Sequence, residues 1–247
     1  MTRLEYAKDY QGRGYAPLPL PLKAKSPGFN GWQKYQPVNG QLERDFSGEG
    51  NIGLLLGEPS GWLIDVDLDW PEAQKLASAF LPETPAKSGR ESAPLSHFWY
   101  RCETGTKKFS DPNKQHGEDQ RAMIVELRST GSQTVVEPSI HPSGERYIWQ
   151  GELMPAQVET ATLQRAVARL AGCSLIARHW PHGRRHDAAL ALAGALFRNG
   201  WARGEVEQFI LSAAGLAGDE EIEDRKRAIA DTEEKLSNSE HGTGVPT

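Results

Sequence analysis

Three acidic residues lie where carboxylates are uncommon, inside apolar runs. Asp65 and Asp67 alternate with apolar residues in Trp62–Asp69 (WLIDVDLD), and Glu126 interrupts Ala122–Ser129 (AMIVELRS). In a strand, alternate side chains share a face, so Trp62, Ile64, Val66 and Leu68 are expected toward a core and Leu63, Asp65, Asp67 and Asp69 on the other side. Two carboxylates at i and i+2, roughly 6.5–7 Å apart at Cα, can converge on one cation. They repel without a counter-charge. The alternative is a solvated acidic face. By the same rule Glu126 shares a face with Ile124 and Arg128, which suits a metal ligand beside a phosphate contact or a plain Glu–Arg pair.

His97 begins a third run, His97–Arg101 (HFWYR), on a face with Trp99 and Arg101. It follows Lys87-Ser88-Gly89-Arg90, a small basic loop able to approach an anion. Acids that hold divalent ions, with Arg90, His97 and Arg128 as cations, would together suit a triphosphate.

These residues must be held by sheet. Asn51–Gly57 (NIGLLLG) reads as a strand, and the turn signal Glu58-Pro59-Ser60-Gly61 leads into Trp62–Asp69, so the two are expected to pair as a hairpin. Gln133–Glu137 reads as another strand, Pro71–Phe80 as a short helix, and Thr104–Gln120 as a polar loop. Trp32 and Tyr35 are expected to anchor the Pro- and Gly-rich stretch between Pro17 and Pro59. After Met154 the chain becomes helical: Ala156–Leu170, Arg185–Phe197, Glu205–Ala214 with Val206, Phe209, Ile210 and Ala213 on one face, and Glu220–Leu236 with Ile222, Ile229 and Leu236 at heptad spacing. The expected fold is α+β. A catalytic domain over 1–153 precedes a helical domain over 154–240 and a linker over 241–247.

Bulk properties narrow the partners. The net charge is −5, with 17 Lys/Arg against 20 Asp/Glu in residues 1–153 and 11 against 13 beyond, which argues against a simple basic DNA-coating protein, so any nucleic acid would have to be held by local patches or metal ions. No run is long and apolar enough for a membrane span or a signal peptide, and Cys102 and Cys173 are too few for a zinc cluster. Cytoplasmic residence without membrane association is expected.

The sequence resembles the bifunctional primase-polymerase family of the archaeo-eukaryotic primase superfamily. Its three motifs map onto Asp65-Val66-Asp67, Leu95-Ser96-His97 and Glu126 in IVELR. Gly131–Gly144 (GSQTVVEPSIHPSG), with Tyr147 and Trp149, is similar to a run in phage and plasmid members. The resemblance covers residues 15–150. It departs at Leu95, where the family has a small residue. It implies an RRM-like mixed or antiparallel sheet with an N-terminal α/β unit, and a helical bundle after it. Asp65, Asp67 and Glu126 would hold two Mg²⁺ or Mn²⁺ ions, and His97 would contact the incoming dNTP or NTP. Ser88, Ser96, Arg90, Arg128, Ser139 and His141 are further candidates for that nucleotide.

Gly183–Leu190 (GRRHDAAL) is similar to the domain after the polymerase core, which nominates Arg184 and Arg185 for template or initiating-nucleotide contacts beside the simpler reading as solvated helix-start arginines. The end, Gly242–Thr247, resembles a linker into a helicase domain, so a helicase in cis or trans is an expected partner alongside single-stranded DNA. GxxxxGK[ST] does not occur in these residues. A metal-dependent nuclease would also want clustered acids. A non-catalytic RRM-like binding module would instead expose aromatics where the acids stand.

Overall fold

The computed structural model describes residues 1–38, 40–113 and 122–242. The chain folds as two compact units, Met1–Ala168 and Arg169–Thr247. The division falls later than the composition change after Met154, within a helix.

The first unit starts with helix α1 (Arg3–Gly12). Thr2 accepts the Glu5 N–H and the Glu5 carboxylate accepts the Thr2 N–H, a reciprocal cap that satisfies the first donors of a helix too short to persist unaided. Strand β1 (Ala16–Leu20) follows. Pro17 and Pro19 have no N–H to give a second neighbour, and β1 accordingly pairs with one strand only, β2 (Asn51–Leu55). Helix α2 (Gln41–Phe46) lies between them in sequence. The third strand of this antiparallel sheet, β8 (Gln133–Val136), comes from far along the chain.

The larger sheet has the order β6-β7-β3-β5-β4-β9, where β3 is Leu63–Leu68, β4 Lys87–Arg90, β5 Ala93–Arg101, β6 Lys107–Ser110, β7 Met123–Arg128 and β9 Ile148–Gln150. All these pairs are antiparallel. A two-residue strand, β10 (Ala156–Gln157), adds to β5 in parallel. Helix α3 (Pro71–Phe80), started by Pro71, falls where the sequence places it. The fold is α+β.

Sequence expectations are corrected at five points: Lys87–Arg90, expected as a loop, is strand β4, the helix expected from Ala156 starts at Thr160 after β10, and three more follow. First, Asn51–Gly57 and Trp62–Asp69 do not form a hairpin. Gly57 and Leu63 share one isolated bridge, and then β2 and β3 enter different sheets. Gly57 takes φ 71 and Trp62 φ 61, left-handed turns that send the chain from one sheet to the other. Second, Trp62 therefore stands outside β3, and every residue of the strand is buried, so Asp65 and Asp67 are not on a solvated face, whereas Asp69, just past the strand, is exposed. Third, the expected loop 104–120 contains β6; its part from residue 114 onward lies outside the described residues.

The core joins α1, α2 and both sheets: Ala7, Tyr10, Phe46, Ile52, Leu54, Leu63, Trp99 and Val136 form one cluster. Arg3 stitches its rim by donating to the carbonyls of Leu20, Asp45, Gly48 and Asn51.

In the second unit, α4 (Thr160–Arg178, begun in the first unit) is followed by α5 (Arg185–Arg198), α6 (Arg203–Leu216) and α7 (Ile222–Gly242). Cys173, Ala189, Ala193, Val206, Phe209, Ile210, Ala213, Ala228 and Ile229 are buried, and the small side chains allow close helix approach. Asp219 accepts from Trp180 Nε1 and from Arg225, whose side chain is 1% exposed. The expected linker lies, from residue 243 on, outside the described residues.

Candidate active site

Directly opposed residues of an antiparallel pair share a face. The registers Ser88↔His97, His97↔Asp67, Asp67↔Glu126 and Lys108↔Glu126 therefore place Ser88, His97, Asp67, Glu126 and Lys108 in one row across β4, β5, β3, β7 and β6. One pleat along, on the same face, Trp99, Asp65 and Arg128 form a second row. Residues far apart in sequence thus meet on one patch of sheet.

The charges on the patch are interlocked. His97 Nδ1 lies 3.0 Å from Asp65 Oδ2 and 3.4 Å from Asp67 Oδ1. Arg128 donates from Nη2 to Asp67 Oδ2 at 2.5 Å and from Nε to Glu126 Oε2 at 2.9 Å. Lys108 Nζ is 3.2 Å from Glu126 Oε1. Asp65, fully buried, also accepts the Thr134 hydroxyl at 2.6 Å, a bond that crosses from β8 of the smaller sheet. Burial raises the Asp67 carboxyl above its usual range, against the pull of His97 and Arg128. Burial works against a charged His97, but Asp65 and Asp67 outweigh it and hold the imidazole above its usual value. The same balance favours charged Arg128.

A cleft of about 490 Å³ opens over this patch, between the two sheets of the unit. Asp67, His97, Glu126, Arg128, Ser96 and Arg90 line it. Arg90 is paired with Glu145 at 2.6 Å and Ser96 donates to the Ala93 carbonyl. Four other candidates are used differently. Asp65 sits behind the lining. Ser88, 3% exposed, accepts from Trp99 Nε1. Ser139, 1% exposed, exchanges hydrogen bonds with the Ile52 backbone. His141 is outside the lining and bonds Ser143. Arg184 and Arg185 lie in the helical unit: Arg184 is exposed at the start of α5, and Arg185 is 3.6 Å from Asp219.

Sequence reasoning placed Asp69 on the face of Asp65 and Asp67 without making it a candidate, and it passed over Lys108 and Thr134. Asp69 continues the alternation of Asp65 and Asp67 by one more step, and it lines the cleft. Although this side chain is open to the cleft, the protein crowded around it, and then the charge of Asp67, push its carboxyl up to about 7. Lys108 and Thr134 could not have been found without the register.

The donor set is carboxylate oxygen, the class that hard divalent cations take. In this arrangement Asp65, Asp67 and Glu126 are each compensated by a protein cation or hydroxyl, and among the described residues no group of three or more His, Cys, Asp or Glu stands at the spacing of a metal site.

No curated protein and no solved structure gives a significant match to the chain. The family profile described as bifunctional DNA primase/polymerase, N-terminal, matches residues 7–163. That span takes in the whole charged patch, both rows of it, and both sheets. With well over half of the chain matched, the protein belongs to the bifunctional DNA primase/polymerase family.

Proposed function

We propose that the cleft carries out template-directed nucleotidyl transfer on single-stranded DNA, making primers and extending them, in replication of the phage or plasmid type. A primer 3′-hydroxyl, or that of an initiating nucleotide, would attack the α-phosphate of a dNTP or NTP. The hydroxyl gives up its proton to solvent water, an O–P bond forms, the bond from the α-phosphorus to the bridging oxygen of the β-phosphate breaks, and pyrophosphate leaves. The observation that carries this reading is the row His97–Asp67–Glu126 with Arg128 beside it, facing a cleft large enough for a nucleotide.

Asp67 and Glu126, with Asp65 behind them, would hold two Mg²⁺ or Mn²⁺ ions. Bound there, the ions would offset phosphate charge and lower the pKa of the attacking hydroxyl. Arg128 and His97 supply positive charge where the phosphates would lie, and Arg128 would have to release Asp67 and Glu126 to face them. Arg90 and Ser96 line the same cleft. A helicase in cis or trans would supply the unwound template.

The test is incorporation of labelled dNTP and NTP on primed and unprimed single strands with Mg²⁺ or Mn²⁺. Asp67→Asn and Glu126→Gln, which keep size but exchange one accepting oxygen and the charge for an amide donor, should each lower incorporation by on the order of 10³-fold, the loss of several kcal/mol of charge stabilisation. Incorporation at the wild-type rate by a folded Asp67→Asn protein would refute the reading. Metal-dependent loss of the template itself would point to a nuclease.

A further inference from the structure

The chain carries a net charge of −5, yet residues 10–42 contain no Asp or Glu and carry Arg13, Lys23, Lys25 and Lys34. Several cations elsewhere in the first unit are ion-paired: Lys8 with Glu43, Arg90 with Glu145, Lys108 with Glu126. Lys23, Lys25 and Lys34 are exposed, and none has an ion pair among the described residues.

The stretch is fixed in place. Asn51 of β2 donates its side-chain amide to the Ala24 carbonyl at 3.0 Å, and Gln133 of β8 donates to the Lys25 carbonyl at 2.7 Å. Lys23 takes φ 58, a backbone conformation rare for a lysine. A 3-10 turn, Trp32–Lys34, follows, and Tyr35 is held by its hydroxyl on Asp45. Phe29, 41% exposed, lies edge-on to Tyr35. Lys25 and Trp32 line the same cleft as Asp67, His97 and Glu126, and Trp32 also packs on the apolar cluster of Leu18, Leu20 and Val135.

Unpaired cations interleaved with aromatics, on a pinned backbone that runs into a cleft, are the features that hold a single strand without reading its sequence. We propose that residues 21–38 form the surface on which single-stranded template enters the cleft, Lys23, Lys25 and Lys34 meeting its phosphates and Trp32 stacking one of its bases. The assignment of the strand as template rests on the polymerase reading above; the single-strand surface itself does not.

The experiment is fluorescence anisotropy of labelled oligo-dT with the full chain, from about 50 to 200 mM salt. The combined variant Lys23→Gln, Lys25→Gln, Lys34→Gln changes exposed positions only. It should lower the slope of log affinity against log salt by about 2, roughly 0.7 for each phosphate no longer neutralised. Trp32→Leu should weaken binding about tenfold with the slope kept, and Trp32→Phe should recover most of that affinity. In primer extension the triple variant should raise the template KM by a larger factor than it changes kcat. An unchanged slope in the triple variant, or no retention of oligo-dT by the wild-type chain, overturns the proposal. If wild-type protein incorporates nucleotide while the slope is unchanged, the polymerase reading stands and this surface fails. If the slope falls but no nucleotide is ever incorporated, the surface stands and the polymerase reading fails.

Discussion

Among the described residues, Thr134 is the one side chain seen to reach from the smaller sheet to Asp65, and its hydroxyl oxygen also accepts, at a long 3.5 Å, from Arg128 Nη1. Thr134→Val keeps the shape of a side chain that is 2% exposed. It deletes the 2.6 Å donation to Asp65 Oδ2, which keeps His97 as its partner. A hydrogen bond to a charged group contributes roughly 1.5–3 kcal/mol, and the carboxylate left behind cannot recruit water because Asp65 is fully buried. The expected loss is about 2 kcal/mol, which lowers Tm by about 4–8 °C for a unit of this size. Thr134→Ser keeps the hydroxyl and drops one methyl, so its cost should be about 0.8 kcal/mol. The assay is urea unfolding of wild type, Thr134→Val, Asp65→Asn and the double variant. Because the two side chains touch, the cycle should show a coupling of about 1–2 kcal/mol. Additive effects, or a Thr134→Val protein within about 0.5 kcal/mol of wild type, would refute the role given to this bond.

Gly57→Ala should destabilise the first unit by at least about 3 kcal/mol, measured by the same unfolding assay, because φ is 71 there and an added Cβ would lie 2.3 Å from the Thr130 nitrogen and 2.7 Å from its Cα. In the helical unit, burial would raise the Asp219 carboxyl, but hydrogen bonds from Arg225, Trp180 and the Glu221 N–H hold it down to about 2. A depressed carboxyl stabilises the fold above its unfolded pKa and loses that contribution as pH falls through the folded value. The helical unit should therefore lose about 2 kcal/mol between roughly pH 4 and pH 2, in thermal melts followed by circular dichroism. Asp219→Asn should be less stable at neutral pH and show a flatter dependence across that window.

The strands that carry the chemistry were legible because their apolar residues alternate. β3, β5 and β7 stand out by period, and so do their acids. Register was not legible, since nothing local says that Asp67 faces both His97 and Glu126. Arg128 could be read as a partner of Glu126, but its second grip on Asp67 exists only once β7 is laid beside β3. The hairpin expectation failed because a turn signal tells that a chain reverses, not which sheet it joins. Lys107-Lys108-Phe109-Ser110 reads as loop because an edge strand facing water needs little apolar alternation. Helix α1 has no apolar stripe to announce it; its one signal is Thr2 with Glu5 three residues on.

The path of β8 has a consequence for how the protein can be made. β2 ends at Leu55, but the strand that covers its second edge is not complete until Val136. On the ribosome, β2 therefore has an open edge, Asn51 to Leu55, buried on both faces in the finished protein, while strands of the other sheet are still being synthesised. The smaller sheet is completed by β8 only after β3 to β7 of the larger sheet have been made, and β9 and β10 follow it, so Thr134 arrives at Asp65 late in the assembly of the unit. The site is thus finished by the same event that seals the N-terminal sheet, and an internal break anywhere between the two strands would cost both.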